Sequence, residues 1–220
     1  MSAITLDFLH GRPACGKDTQ ANLLLLDIAH SSKVSGVYRS AFTQTGSYTK
    51  YHDLVKPYIK PLGQGIDIPG KVVADILADI IKNAREQGIT TLLICGLLRT
   101  PDHKKAIDEL LKGDHELTST HIYLATGEGK ALDQTHHRLA DNQEAGGERL
   151  DDNDELMQAR LARYKANTVP MLKELENEGR LHIIRADRNI DEIHTELKSL
   201  LVSETHILES PQTALSTMRR

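Results

Sequence analysis

The sequence predicts an α/β fold in which helices cover both faces of a parallel sheet. Short apolar runs alternate along the chain with segments of helical periodicity. Each run is apolar throughout rather than at every second residue, which is typical of parallel strands buried on both faces. The predicted strands are residues 3–11, 90–96, 119–126 and 181–187.

Two of the predicted helices carry clear start and stop signals. Thr100 is a candidate N-cap, Pro101 suits the first turn, and Gly113 is a plausible end for that helix. Apolar residues also recur at helical spacing in the segment 70–88, for which Gly88 is a plausible C-cap. They are Val72, Val73, Ile76, Leu77, Ile80 and Ile81.

Other segments depart from this alternation or end it. Residues 36–69 and 140–152 are rich in glycine, proline or polar residues. We expect both segments to lie outside the sheet and to bind a ligand. Before the tail, 203–220, lies a helix with one apolar face; we expect the tail itself to be loosely attached or disordered. The apolar face of that last helix consists of Ile190, Ile193, Leu197, Leu200 and Leu201.

The composition excludes several classes of protein. The 220 residues carry a net charge of −4 without a basic block, which argues against a nucleic-acid partner. No basic leader or membrane-length apolar run occurs, and the histidines show no zinc-site spacing. Cys15 and Cys95 provide no disulfide framework, so we expect buried, inert thiols in a reduced, cytoplasmic setting. We expect a monomer without a membrane partner or a structural metal.

The stretch Gly11–Gln20, GRPACGKDTQ, has the G-x-x-x-x-G-K spacing of a phosphate-binding loop. Gly11 and Gly16 let the backbone wrap with its N–H groups inward, and Lys17 adds a positive charge at the start of a helix. The predicted strand before and helix after are the required context. Asp18 is unusual beside a bound anion: it either stabilises the helix N-terminus or faces a metal ion.

Arginines that suit phosphoryl transfer follow later in the chain. Arg99 comes just after the strand 90–96, where α/β sheets place ligands. Arg149, Arg160 and Arg163 lie in or before a helical segment. Arg160 projects inside its apolar stripe and therefore needs an anionic partner, whereas Arg163 lies at the edge and fits a solvated face. The stripe consists of Leu156, Met157, Leu161 and Tyr164.

These motifs together resemble the adenylate kinases and related nucleoside monophosphate kinases. The loop is similar to the family's G-x-P-G-x-G-K-G-T-Q, GLLRT (96–100) to G-F-P-R-T, and VSGVYR (34–39) to a shortened S-T-G-D-x-x-R. The stretch RLDDNDELMQARLARY (149–164) resembles R-x-D-D-x-x-E-x-x-x-x-R-L-x-x-Y. The resemblance covers about residues 4–201, with the motifs in the family's order.

The resemblance implies a P-loop three-layer fold with a five-stranded parallel sheet, within residues 1–202. A helical monophosphate-binding insert at about 36–69 and a short lid at about 139–149 would close over the substrates. The implied catalytic residues are Lys17, Arg149 and Arg160. ATP would bind to Gly11, Pro13, Ala14, Cys15, Gly16, Lys17, Asp18, Thr19 and Arg138. The monophosphate would bind to Ser35, Gly36, Arg39, Ile68, Gly96, Arg99 and His103.

The implied activity is Mg²⁺-dependent transfer of a phosphoryl group from ATP to AMP, giving two ADP. Thr100 matches the adenylate kinase form of its motif, which favours AMP. A UMP/CMP-type kinase is one alternative, and a nucleotide-binding module with little or no turnover is another.

Five positions depart from the family pattern. Cys95 replaces the aspartate that orders the waters of Mg²⁺, and Val37 replaces a second acid. Asn142 replaces a lid arginine, and His103 replaces the glutamine that recognises adenine. Asp18 replaces a glycine, and we hypothesise that it takes over the metal-ordering role through water, the alternative being a helix cap.

Overall fold

The computed structural model describes residues 2–28, 34–38, 49–63, 67–127 and 154–208. Its centre is a five-stranded sheet in the order β2-β3-β1-β4-β5, with all neighbouring strands parallel. This confirms the predicted α/β class and the five-stranded parallel sheet. The strands are β1 Ile4–Gly11, β2 Val34–Tyr38, β3 Thr91–Cys95, β4 Leu117–Ala125 and β5 Leu181–Arg185.

Helices connect the strands and cover the sheet. In the described part of the chain they are α1 Lys17–Ile28, α2 His52–Gly63, α3 Gly70–Glu86, α4 Pro101–Lys112, α5 Asp154–Arg163, α6 Val169–Asn177 and α7 Ile190–Leu208. A 3₁₀ turn, Thr49–Tyr51, precedes α2. None of these helices is both long and apolar enough to cross a membrane.

The hydrophobic core lies on both faces of the sheet. On one face, α3, α4 and α6 pack against strand residues such as Phe8 and Ile94, each 1% exposed. On the other face, α1 and α7 pack against residues such as Leu9 and Ile122. Burial on both faces explains why β1 and β3 are almost continuously apolar, whereas the edge strand β5 is partly exposed, with Ile183 49% exposed.

The predicted helix ends are present. The Thr100 hydroxyl accepts a hydrogen bond from the His103 amide at 3.1 Å and caps α4, and Pro101 is the first helical residue. Gly113 is the C-cap of that helix. Gly88 follows the end of α3 with φ of 65°, a left-handed conformation that glycine adopts without strain.

Sequence periodicity missed β2, and residues 36–38, which were predicted to leave the sheet, lie within it. The strand has only five residues, and two of them, Ser35 and Gly36, have small side chains. It therefore does not form a recognisable apolar run. The prediction that the remainder of 36–69 holds a helical part agrees with α2. Residues 39–48 and 64–66 lie outside the described residues.

A π-helical turn, Tyr164–Thr168, joins α5 to α6. Within it, the Val169 amide donates to the Tyr164 carbonyl. Pro170, which follows, has no N–H and its ring clashes with a carbonyl one α-turn earlier, so the wider turn relieves the conflict. The turn brings Asn167 and Thr168 toward the end of β3.

The last helix, α7, runs to Leu208, six residues beyond the predicted domain end at residue 202. Its predicted apolar face is present at Ile193, Leu197 and Leu201, each at most 7% exposed. Ile190, however, is 54% exposed because it is the first residue of the helix. Residues 209–220 lie outside the described part of the chain.

Candidate active site

Two residues of the loop between β1 and α1 have the left-handed backbone that anion-binding turns use. Ala14 and Gly16 have φ of 62° and 85°, in the left-handed region. Left-handed residues beside right-handed ones turn successive N–H groups toward a common point, where an anion can bind. Gly11 has no room for a side chain, since a Cβ there would lie 2.3 Å from the Cys15 sulfur.

Charged residues of α1 flank this loop. Lys17 is the first residue of the helix, and its Nζ donates to the Arg12 carbonyl at 3.4 Å, so the ammonium group folds back over the loop. Asp18 and Thr19 follow in the first turn and are exposed. An acid in the first turn is stabilised by the helix dipole, which agrees with one of the two roles considered for Asp18.

The end of β3 brings Cys95 to the same place. Cys95 pairs in register with Leu9, two residues before the loop begins, and it is 2% exposed. Burial, and then the charge of Asp18, raise the pKa of the thiol to about 12, while Lys17 opposes them. Cys95 is therefore a neutral thiol in the electrostatic neighbourhood of both charged residues. Cys15 and Cys95 are both buried, as the sequence predicts.

A cluster of arginines surrounds Arg99, which follows β3 at the edge of the sheet where the loop also begins. Burial lowers the pKa of Arg99, and the positive charges of Arg163 and Arg160 lower it further. The half-buried Arg160 and Arg163 of α5 therefore share one positive region with Arg99. Three guanidinium groups at the carboxyl edge of a parallel sheet form a region that favours an anion. Arg163 also agrees with the solvated face predicted for it, since its Nε donates to the Ala159 carbonyl at 3.3 Å in an exposed hydrogen bond.

The backbone of Arg99 is fixed by two side chains. Its amide donates to Nδ1 of His103 at 3.2 Å, and its carbonyl accepts from Oγ1 of Thr168 at 2.9 Å. Its Nη1 lies 3.9 Å from Oδ1 of Asp67. Arg99 is thus held by α4, by the π-helical turn and by the segment that leads into α3.

His103 is buried, and both of its ring nitrogens bond to backbone. Nδ1 accepts from the Arg99 amide, so Nε2 carries the hydrogen and donates to the Ile68 carbonyl at 2.6 Å. Burial lowers the pKa of His103, in agreement with a neutral ring. In this conformation the histidine links Arg99 to Ile68 and leaves no ring nitrogen for a nucleotide base.

Other residues expected at the site are placed differently. Ser35 and Gly36 pair with Leu92 and Leu93 inside the sheet. They therefore lie two to three residues before the carboxyl edge, which β3 reaches at Cys95. Gly96 follows β3 with φ of 70° and lies at the edge with Arg99. Arg39, Arg138, Asn142 and Arg149 lie outside the described residues.

Sequence reasoning missed residues that the fold brings to the site. Arg12 is 5% exposed, and its Nη1 donates to the Thr126 carbonyl at 3.4 Å, just beyond β4. Because Arg12 lies inside the loop motif, the sequence could have identified it as a site residue. Asp67 and Asn167 are 100 residues apart in sequence and bond to each other at 3.3 Å. No local pattern marks either of them.

A buried histidine pair lies behind the loop. Nε2 of His10 lies 3.1 Å from Nδ1 of His121, and Nε2 of His121 lies 3.3 Å from Nη2 of Arg180. Because a guanidinium only donates, His121 accepts at Nε2 and donates from Nδ1 to His10. Burial, with Arg180 next, lowers the pKa of His121 to about 4. Burial, His121 and Lys17 lower the pKa of His10 well below its ordinary value.

The residues of the site are compatible with one magnesium ion bound mainly by phosphates and water. Mg²⁺ is usually held by one or two carboxylates together with substrate phosphates. Asp18 is an exposed carboxylate beside Lys17 at the loop, whereas the neutral, sulfur-bearing Cys95 is an unsuitable ligand. Among the described residues, no group of three or more acidic, histidine or cysteine side chains is arranged to hold a metal by itself.

No protein-family model matches the chain. Among curated proteins, it is 26% identical over 196 residues to an adenylate kinase of Parvibaculum lavamentivorans, covering 88% of this chain and 90% of that protein. An adenylate kinase of Nitrobacter winogradskyi is 27% identical over 196 residues, with 88% and 91% covered. One of Bartonella tribocorum is 26% identical over 196 residues, with 88% and 97% covered. The chain is thus similar to adenylate kinases over 88% of its length.

Proposed function

We propose that the protein is a nucleoside monophosphate kinase that transfers the γ-phosphoryl group of ATP to AMP, giving two ADP. The observation that carries this proposal is the meeting of a phosphate loop and an arginine cluster at one edge of the sheet. Its support is the similarity to proteins named adenylate kinase over 88% of the chain. We further propose that the protein acts as a cytoplasmic monomer.

The phosphates of ATP are assigned to the loop. Its inward N–H groups and the N-terminus of α1 would bind phosphate oxygens, and Lys17 would move from the Arg12 carbonyl to the β- and γ-phosphates. The Arg12–Lys17 bond is long, at 3.4 Å, so little is lost when the ammonium leaves it.

The arginines are assigned to the acceptor and to the transferring group. Arg99, together with Arg39, would bind the phosphate of AMP. Arg160 and Arg149 would stabilise the charge on the γ-phosphoryl group as it moves, with Arg138 binding ATP from the lid. The transfer is in line, without a covalent enzyme intermediate, so catalysis consists of positioning and electrostatic stabilisation. Closure of the lid would exclude water and prevent wasteful hydrolysis of ATP.

Magnesium, when bound with ATP, neutralises phosphate charge and helps to orient the reacting groups. We propose that Asp18 orders its water ligands in place of the acid that Cys95 replaces. The support is that Asp18 is exposed at the loop and close enough to Cys95 to raise the pKa of its thiol. The helix-dipole role remains the competing explanation for Asp18.

The two roles of Asp18 predict different magnesium dependence of ATP binding. Without the metal, the carboxylate repels the phosphates, and with the metal it attracts the complex. ATP binding to the wild type, measured by calorimetry without turnover, should therefore rise more steeply with Mg²⁺ than binding to Asp18→Gly. Equal binding by both proteins at every Mg²⁺ concentration would leave only the helix-stabilising role.

Two alternatives are each favoured by one observation. Cys95 is a buried neutral thiol where the family has an acid, which favours a nucleotide-binding module with little turnover. His103 has both ring nitrogens bonded to backbone, which weakens the case for adenine and favours another acceptor, such as UMP or CMP.

A substrate panel separates these functions. Purified protein is mixed with ATP, Mg²⁺ and one of AMP, CMP, UMP, GMP or dTMP, and diphosphate formation is followed, with Lys17→Ala as the control. We expect turnover with AMP that the lysine variant loses. Turnover with UMP or CMP alone would reassign the acceptor. Tight ATP binding without turnover on any acceptor would favour the binding module.

A further inference from the structure

A carboxylate, that of Asp67, lies beside Arg99 of the arginine cluster. Oδ1 of Asp67 is 3.9 Å from Nη1 of Arg99, and the two side chains are only 12% and 20% exposed. Asp67 lies in the segment 67–69, between the end of α2 and the start of α3. It therefore occupies part of the positive region that was assigned above to an anionic substrate.

The contact between the two side chains is an ion pair and not a hydrogen bond. A hydrogen bond between nitrogen and oxygen has a length of about 2.7–3.2 Å, which is well below 3.9 Å. Asp67 is instead held from another side, because Nδ2 of Asn167 donates to its Oδ2 at 3.3 Å. The carboxylate thus acts on Arg99 through its charge, while its position depends on the π-helical turn.

The carboxylate of Asp67 partly offsets the positive charge that surrounds Arg99. Of the charges that act on Arg99, Asp67 favours the protonated guanidinium, whereas Arg160 and Arg163 oppose it. The backbone of Arg99 is fixed separately, by His103 and Thr168. Removal of the Asp67 charge would therefore leave the backbone of Arg99 in place and make the surroundings of its guanidinium more positive.

We propose that Asp67 is a built-in counter-ion of Arg99 that weakens the binding of the acceptor's phosphate. It stabilises the arginine before the acceptor arrives, and it repels the phosphate that binds there afterwards. Asp67 is a positioning residue, since it acts through Arg99. This inference rests on the proposed function, which assigns the acceptor's phosphate to Arg99.

The test is the substitution Asp67→Asn, which keeps the shape of the side chain and an oxygen that accepts from Asn167. Binding of AMP and of inorganic phosphate is measured by calorimetry in low salt. We expect affinity to rise about 5-fold, and the gain to shrink in high salt, where charges on partly exposed groups are screened. The KM for the acceptor should fall, while ATP binding stays unchanged. A purely structural role would produce no gain in affinity.

Two variants serve as controls. Asp67→Glu keeps the charge and should show no gain. Asp75→Asn removes one negative charge from an exposed pair with Lys71 on α3 and should also show none. If Asp67→Asn binds AMP no more tightly than the wild type, or if Asp75→Asn gains as much, the inference is wrong.

Failure of this inference is distinguishable from failure of the proposed function. Arg99→Ala should abolish most AMP binding. If it does so while Asp67→Asn shows no gain, only the counter-ion role fails. If the wild type binds no nucleoside monophosphate, the counter-ion role and the proposed function both fail.

Discussion

Replacement of His121 by glutamine should flatten the acid dependence of the protein's stability. His121 is 1% exposed and stacks on Phe8, with ring centroids 4.9 Å apart. It donates to His10 and accepts from Arg180, and a glutamine side chain can also donate and accept. The substitution therefore removes a group that titrates and retains the possibility of both hydrogen bonds.

The size of the effect follows from the pKa of His121, which is about 4 in the folded protein against an ordinary value of 6.5. Burial is the main cause, followed by the charge of Arg180; Lys104 lowers the pKa further, whereas Asp108 and Glu178 raise it. Between pH 6.5 and 4 the unfolded chain binds this proton and the folded protein does not. The free energy of unfolding therefore falls as the pH drops through that window, by about 3 kcal/mol for a difference of some 2.5 pKa units.

The assay is urea unfolding of the wild type and of His121→Gln at pH values from 7.5 to 4. Most other groups that titrate are shared by both proteins, so the difference between the two curves reports His121 together with its effect on the paired His10. We expect the wild type to lose about 3 kcal/mol more than the variant. His115→Gln, a change at an exposed histidine, is the matched control and should follow the wild type. Parallel curves for the wild type and His121→Gln would contradict the conclusion that His10 and His121 form a buried, neutral pair.

Three further predictions concern stability and are measured by urea unfolding. Gly70→Ala should destabilise by about 1–3 kcal/mol, because a Cβ there would lie 2.4 Å from the backbone oxygen of Asp102; an unchanged midpoint would show that the helices separate freely. Thr100→Ala should cost about 1 kcal/mol through loss of the α4 cap, and a neutral result would contradict the cap. Tyr164→Phe should cost about 1 kcal/mol, since it removes a 3.0 Å bond to the tyrosine hydroxyl on β4; a stabilised variant would argue against that bond.

Much of the fold follows from local signals. Four of the five strands are runs of apolar residues, and the ends of α4 are marked by Thr100, Pro101 and Gly113. The strand β2 could not be found in this way, because five residues that include a serine and a glycine form no periodic pattern. The π-helical turn before Pro170 was also missed, since periodicity does not distinguish a widened turn from an α-helix.

The candidate site was predictable where one motif carries it. Gly11, Gly16 and Lys17 are recognisable from their spacing, and the strand and helix around them are present. Asp67 and Asn167, in contrast, meet only because the fold brings distant segments together. The expected role of His103 in recognising a base depends on a free ring nitrogen, and its partners depend on the conformation of two other segments. Such pairings carry no signal in a single sequence.

The most direct test of the proposed kinase activity is to follow the γ-phosphoryl group itself. ATP labelled at its γ-phosphate is incubated with Mg²⁺, AMP and either the wild type or Lys17→Ala. The proposal predicts that the wild type places the label in ADP and that the lysine variant does so far more slowly. Label that remains in ATP, or that appears only as free phosphate, would contradict phosphoryl transfer to AMP at this site.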